Sequence, residues 1–161
     1  MTKIMFVCWG NICRSPMAEF IMKKMVEERS LENSFLIESS AISREEIRHG
    51  HGNAVHIEAQ RILKKHKISC EGKHAVQLQA SDYDKYDFII GMEQRHIPLM
   101  EQLLGGDPDG KLSTLMSYTV FPNRDIADPW YFGNFEQTYE DICEGCEGLL
   151  EYILCTTIRK K

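Results

Sequence analysis

The segment Val7-Cys8-Trp9-Gly10-Asn11-Ile12-Cys13-Arg14-Ser15-Pro16 turns an apolar run into an amphipathic one, and it constrains the fold more than any other part of the chain. Residues 3 to 8 are short, apolar and rich in β-branched and aromatic side chains, as a buried strand requires. Residues 17 to 28 place Met17, Phe20, Ile21 and Met25 on one helical face, and Lys23, Lys24, Glu27 and Glu28 on the other. A strand that passes through a tight loop into a helix N-terminus aims several backbone N–H groups at one point, where an anion is favoured. Five residues separate Cys8 from Arg14, enough for such a loop. Gly10 offers backbone freedom, Asn11 a side chain to brace the loop, and Pro16 a helix start.

The residue types in this loop point to a nucleophile inside a phosphate cradle. Arg14 presents two parallel donors that match phosphate oxygens. Ser15 is placed to cap the helix and to donate its hydroxyl to Cys8. Cys8 lies at the bottom of a positive field, which favours the thiolate, the nucleophilic form of cysteine. A buried cysteine at such a junction is elsewhere a small hydrophobe without chemistry. The joint presence of Gly10, Asn11, Arg14, Ser15 and Pro16 favours the cradle.

This loop resembles that of the low-molecular-weight protein tyrosine phosphatases, whose pattern is Val-Cys-x-Gly-Asn-Ile-Cys-Arg-Ser-Pro, and every fixed position matches. The likeness extends along most of the chain. The family carries its general acid in a late Asp-Pro-aromatic-Tyr motif, and Asp128-Pro129-Trp130-Tyr131 stands where that predicts. The resemblance implies a phosphocysteine mechanism: Cys8 attacks phosphorus, Arg14 and the amides of residues 9 to 14 hold the phosphoryl group, and Asp128 protonates the leaving phenolate. Trp130, Tyr131, Trp9 and Ile12 would wall a slot for a phenyl ring, deep enough for phosphotyrosine and too deep for phosphoserine. Relatives that act on phosphoarginine carry Thr where this chain has Ile12, which favours the tyrosine branch. Ser40, in the family's Ser-Ala step after the second strand, is the expected hydrogen-bond partner of Asn11. Cys13 is placed to form a reversible disulfide with Cys8 under oxidation.

The chain also departs from the pattern. Trp9 replaces a smaller aliphatic, and Ala41-Ile42-Ser43 replaces a Gly-Thr or similar turn. Residues 44 to 55 lack the usual aromatic and Pro-Pro-Asp pattern, with Glu45, Glu46 and Ile47 about where an aromatic wall residue would stand. Carboxylates at the mouth would repel acidic phosphopeptides. Lys73 and Val76 stand where the family often has His and Arg, a matter of scaffold bonding.

Further strands are expected at about 35 to 40, 87 to 91 and 112 to 116. Helices are expected at about 53 to 66, 93 to 104 and 134 to 154, with a charged loop over 44 to 52 and turn chemistry over 105 to 110. Strand-helix alternation of this kind argues for an α/β single-domain three-layer sandwich spanning residues 1 to 161. Its core would be a four-stranded parallel sheet with helices on both faces. Ligands bind such sheets at the carboxyl ends of the strands, where both Cys8 and the Asp128 loop would lie.

The 161 residues suit one core. A formal net charge of -5 gives no general attraction to nucleic acid or to an anionic membrane. Ile4 to Cys8 is too short for a signal-peptide core, and no stretch reaches transmembrane length, so a cytoplasmic monomer with reduced cysteines is expected. No cofactor or metal is expected. Cys143 and Cys146 share a helical face with Phe135, Tyr139, Ile142, Leu149, Leu150 and Ile153, and His49, His51 and His56 read as loop and helix-surface residues.

Two rival functions remain at this level. An arsenate reductase of the same fold would use a similar loop and pass oxidation to further thiols, for which Cys70, Cys143, Cys146 and Cys155 are available. Three of these read as helical and buried, and Asp128 would have no work. A phosphotyrosine-binding module without catalysis would likewise leave Asp128 unused. Phosphotyrosine-containing proteins or small aryl phosphates are the expected partners.

Overall fold

Successive side chains of a strand point to opposite faces, and here that alternation builds two separate cores. The structure is a computed structural model and describes residues 1–158. In β1 (Thr2–Cys8), Ile4, Phe6 and Cys8 face one side of the sheet, and Met5 and Val7 face the other. The first side is covered by α1 (Arg14–Glu28) and the long α6 (Phe135–Ile158), through Met17, Ile21, Ile142 and Leu149 among others. The second is covered by α4 (His96–Leu104), through Met100 and Leu104, together with Tyr83 and Tyr86. Each fully buried side chain of this kind contributes about 1.5–3 kcal/mol.

The sheet is four-stranded and parallel, in the order β2 (Phe35–Ala41), β1, β5 (Phe88–Gly91), β6 (Leu112–Thr114). The expected α/β architecture, with helices on both faces, is therefore present. β1 is a central strand, paired with β2 along its whole length and with β5 over Ile4 to Val7. The chain reverses its direction of sheet growth between these two neighbours. The C-terminal end of β1 is thus the point where a crevice opens.

Several element boundaries differ from those predicted, each for a visible reason. α1 begins at Arg14, three residues before the predicted start, with Cys13 at its N-cap. Residues 44 to 52 are not a plain loop. β3 (Ile47–Arg48) and β4 (His51–Gly52) form a tight antiparallel hairpin, turned by His49 and Gly50, both in the left-handed region (φ 51 and 78). A Cβ on Gly52 would lie 1.8 Å from the Ala75 carbonyl oxygen, so only glycine lets the hairpin approach that strand-like segment. α2 is Ile57–Lys65 and starts four residues late, because Ala54 bridges His74 and His56 caps the helix. α4 starts at His96, three residues late. The predicted fourth strand stops at Thr114, where Leu115–Tyr118 winds into a 3-10 turn. Two one-turn helices escaped prediction: α3 (Asp82–Lys85) and α5 (Pro129–Phe132).

Candidate active site

The phosphate loop leaves the end of β1 and is held by one strained residue. Asn11, at φ 58, occupies the left-handed region, which asparagine tolerates better than most residues. That turn aims its backbone N–H at Cys8 Sγ, 3.3 Å away. Gly10, expected to supply the backbone freedom, is not at positive φ. Its lack of a side chain matters because a Cβ there would sit 3.1 Å from Cγ of Glu46.

Asn11 is also the hub of a buried network. Its amide nitrogen donates to Ser15 Oγ at 2.8 Å and to Ser39 Oγ at 2.9 Å, and its amide oxygen accepts from the Val76 backbone at 3.1 Å. The partner on β2 is therefore Ser39 and not Ser40. The side chains alternate along the strand, and Ser40 contributes its carbonyl, 3.4 Å from Ser15 Oγ. Ser39 donates its hydroxyl to buried Glu19 at 2.5 Å, and Lys73 completes the chain by contacting Glu19 at 3.0 Å and donating to the Ser39 carbonyl at 2.9 Å. Lys73 thus does the scaffold bonding expected of its position.

Ser15 lies inside the first turn of α1 and makes no helix cap, contrary to expectation. Its hydroxyl instead meets Cys8 Sγ at 3.0 Å. Held by the Asn11 amide, that hydroxyl has one proton to offer, to the sulfur or to the more distant Ser40 carbonyl, and donation to the sulfur stabilises a thiolate. Cys13, also buried, faces the opposite environment: burial first, then the charges of Cys8 and Asp128, push its thiol far up. The pair separates one sulfur that meets a hydroxyl and a backbone N–H from one whose surroundings hold it as a thiol.

Arg14 is 1% exposed, and its guanidinium is fixed by groups distant in sequence. Nη1 donates to Glu93 Oε1 at 2.5 Å and to the Ile126 carbonyl at 2.8 Å, and Nη2 donates to Asp128 Oδ2 at 3.2 Å. Burial pushes the Glu93 carboxyl up, but hydrogen bonds from Arg95 and Arg14 outweigh it and hold the group at about 2. Glu93 therefore stays ionised and anchors the arginine. His96, wholly buried at the start of α4, has its ring 3.6 Å from Glu93. Burial first, then Arg14, push it down to about 4, so the ring is neutral at physiological pH. Neither Glu93 nor Ser39 was singled out from the sequence. Glu93 stands two residues beyond the end of β5, which is the one local signal that could have marked it.

Asp128 arrives from a loop whose root is firm. The Ile126 N–H donates to the Met92 carbonyl at 3.0 Å, and Asp125 accepts from the Gln94 N–H at 2.8 Å. Beyond that root, Asp128 caps α5 by accepting from the Trp130 N–H at 3.1 Å, with Pro129 at the first helical position.

The predicted residues converge on one cavity of about 110 Å³. Cys8, Gly10, Cys13, Arg14 and Asp128 line its base, and Trp9, Ile12, Trp130 and Tyr131 its walls. Asn11 and Ser15 stand behind the loop as braces. Glu45 and Glu46 complete the mouth, where Glu45 accepts from the Trp9 indole at 3.0 Å and Glu46 from Asn53 at 2.7 Å. Cys70, Cys143, Cys146 and Cys155 lie away from it. Of these Cys146 is fully buried, but Cys143 is only half-buried and Cys155 is exposed, so the expected set of buried helical thiols shrinks. Among the described residues, no three His, Cys, Asp or Glu side chains gather to hold a metal ion.

The arrangement can place a nucleophile, a bidentate cation and a carboxyl group around one tetrahedral anion. The model of the family described as low molecular weight phosphotyrosine protein phosphatase matches residues 3–161. The chain is 36% identical to the low molecular weight protein-tyrosine-phosphatase YfkJ of Bacillus subtilis, over 95% of this chain and 96% of that one. It is 32% identical to the low molecular weight protein-tyrosine-phosphatase PtpA of Staphylococcus aureus, over 96% and 95%. The crystal structure of YfkJ superposes with a TM-score of 0.90 at 35% identity, covering 97% of this chain and 96% of that one.

Proposed function

The chain belongs to the low molecular weight phosphotyrosine protein phosphatases, a family of enzymes, and on that premise we propose that Cys8, Arg14 and Asp128 hydrolyse aryl phosphate monoesters such as phosphotyrosine. The observation that carries this reading is the meeting, in one small cavity, of a supported sulfur, a pinned arginine and a carboxyl group.

Cys8 Sγ attacks phosphorus in line, and an S–P bond forms as the P–O bond to the phenol breaks. Arg14 and the amides of the loop hold the equatorial oxygens as negative charge develops on them. Asp128, protonated at this stage, passes its proton to the departing oxygen. In the second step ionised Asp128 takes a proton from water, the water oxygen bonds to phosphorus, and the S–P bond breaks to return the Cys8 anion and release phosphate. Trp9, Gly10, Ile12, Cys13, Trp130 and Tyr131 shape the substrate slot; Asn11, Ser15 and Ser39 hold the loop. The first step needs an ionised sulfur and a protonated carboxyl group together.

Glu45 and Glu46 at the mouth disfavour acidic flanking residues. The reading is of one domain acting as a cytoplasmic monomer on phosphotyrosine proteins or small aryl phosphates. No helix among the described residues is long and apolar enough to cross a membrane. The arsenate-reductase alternative is disfavoured because no thiol besides Cys13 shares the cavity with Cys8.

The test is a parallel assay of phosphotyrosine, phosphoserine, phosphoarginine and arsenate, with and without reductant. Hydrolysis of phosphotyrosine far ahead of phosphoserine and phosphoarginine is expected. Arsenate turnover that consumes thiol, without aryl phosphate hydrolysis, would overturn the assignment.

A further inference from the structure

We propose that His56 is a positioning residue that ties the acid-bearing loop to the phosphate loop and so sets Asp128 over Cys8. The inference rests on the phosphatase reading above and adds a residue that takes no part in that chemistry.

His56 touches both halves of the site through different atoms. Its backbone N–H donates to the carbonyl of Ile12, inside the phosphate loop, at 2.8 Å. Its ring meets Trp130 edge-on, with centroids 5.2 Å apart and planes at 86°, while stacking on Phe135 at 5.4 Å and 13°. Trp130 in turn donates its backbone N–H to Asp128 Oδ1 at 3.1 Å. A continuous path therefore runs from Ile12 through His56 and Trp130 to the carboxyl group.

The loop needs such a tie. α5 has only four residues, too short to be stable by itself. Trp130, Tyr131 and Phe132 are all exposed, Trp130 at 63%, so little else holds this turn from the solvent side. Phe135, at the start of α6, fixes the imidazole plane from behind and makes it a rigid stop against which the indole rests.

The His56 side chain has a second role that is separable from the first. Its Nδ1 accepts from the Glu58 N–H at 3.2 Å, capping α2. His56→Asn keeps a good cap acceptor and removes the ring; His56→Phe keeps a ring and removes the acceptor.

The experiment measures kcat/KM with dinitrophenyl, nitrophenyl and phenyl phosphates, together with Tm, for the wild type, His56→Asn, His56→Phe and Asp128→Asn. In His56→Asn, kcat/KM with phenyl phosphate falls about tenfold while dinitrophenyl phosphate stays within about twofold, because only poor leaving groups need the proton and an aromatic contact supports no larger effect. His56→Phe lowers Tm and keeps the wild-type leaving-group dependence. Equal losses across all leaving groups in His56→Asn, or a His56→Phe profile as steep as that of His56→Asn, would overturn the proposal. An inactive wild type would overturn the phosphatase reading itself. A steep profile in Asp128→Asn with a normal one in His56→Asn would leave that reading standing and remove His56 alone.

Discussion

The two halves of the site are built to different standards. The phosphate loop is buried and cross-braced: Asn11 reaches Ser15, Ser39 and Val76, and Arg14 reaches Glu93 and Ile126. The acid loop is anchored at Ile126 and then runs out into a single helical turn with three exposed aromatic side chains. The difference suits the roles proposed for the two halves. An oxyanion cradle works only if its donors are fixed before charge develops, whereas a proton donor must give way to substrate on entry and to product on exit.

Substitutions can break this comparison, and the largest effect is expected at its braced end. Cys8→Ser removes turnover and leaves the cradle intact, so phosphate still raises Tm in a thermal melt; a variant that loses phosphate binding as well would deny that the loop stands without its sulfur. Next comes Asp128→Asn, which keeps the α5 cap because asparagine caps as well as aspartate. It lowers kcat/KM with phenyl phosphate about 10²-fold and barely shifts Tm, since the loose half carries chemistry and little stability. Equal slowing for every leaving group would take Asp128 out of the acid role.

Asn11→Ala sharpens the contrast from the other side. It removes a bond from buried Ser15, from buried Ser39 and from the Val76 backbone and forces alanine into the left-handed region, so stability falls by about 3 kcal/mol, or about 6–12 °C in Tm. Activity is lost along with stability, because the same bonds serve both. A Tm within one or two degrees of the wild type would show that the bracing is not where the stability resides.

A smaller effect reports on the anchor behind Arg14. His96 is held at about 4, below its ordinary 6.5, so the unfolded chain binds more protons than the folded one between these values. Its stabilising contribution is full above pH 6.5 and drains as pH falls toward 4. Glu93, held at about 2 from an ordinary 4.5, adds a second loss between those values. His96→Phe flattens the upper part of this slope in melts taken across pH; an unchanged slope would place the acid sensitivity elsewhere. Smallest of all, Glu45→Gln with Glu46→Gln raises kcat/KM about threefold on a phosphotyrosine peptide with acidic neighbours and leaves a neutral peptide unchanged.

What could be read from the sequence followed the range of the interactions. The β1-loop-α1 junction was legible because its signals are local: an apolar run, then Cys8, Asn11 and Arg14 at fixed spacing, then a helical stripe. Asp128 was legible only through the family motif, since Asp-Pro by itself also marks ordinary turns. Glu93 and Ser39 were not, because each earns its place only when β5 and β2 lie beside β1. The Asn11 partner was misplaced by one residue, enough to turn it to the other side of the strand. The β3–β4 hairpin was missed because its turn uses His49-Gly50 rather than the commoner Asn-Gly pair.

The grip on Arg14 also has a consequence during synthesis. Arg14 precedes Glu93 by 79 residues, Ile126 by 112 and Asp128 by 114, and α1 packs on α6, where Cys146 Sγ reaches the Ala18 carbonyl. A nascent chain on the ribosome therefore carries its reactive sulfur long before the arginine is locked or the proton donor exists. The site is complete only once those later segments have folded onto β1.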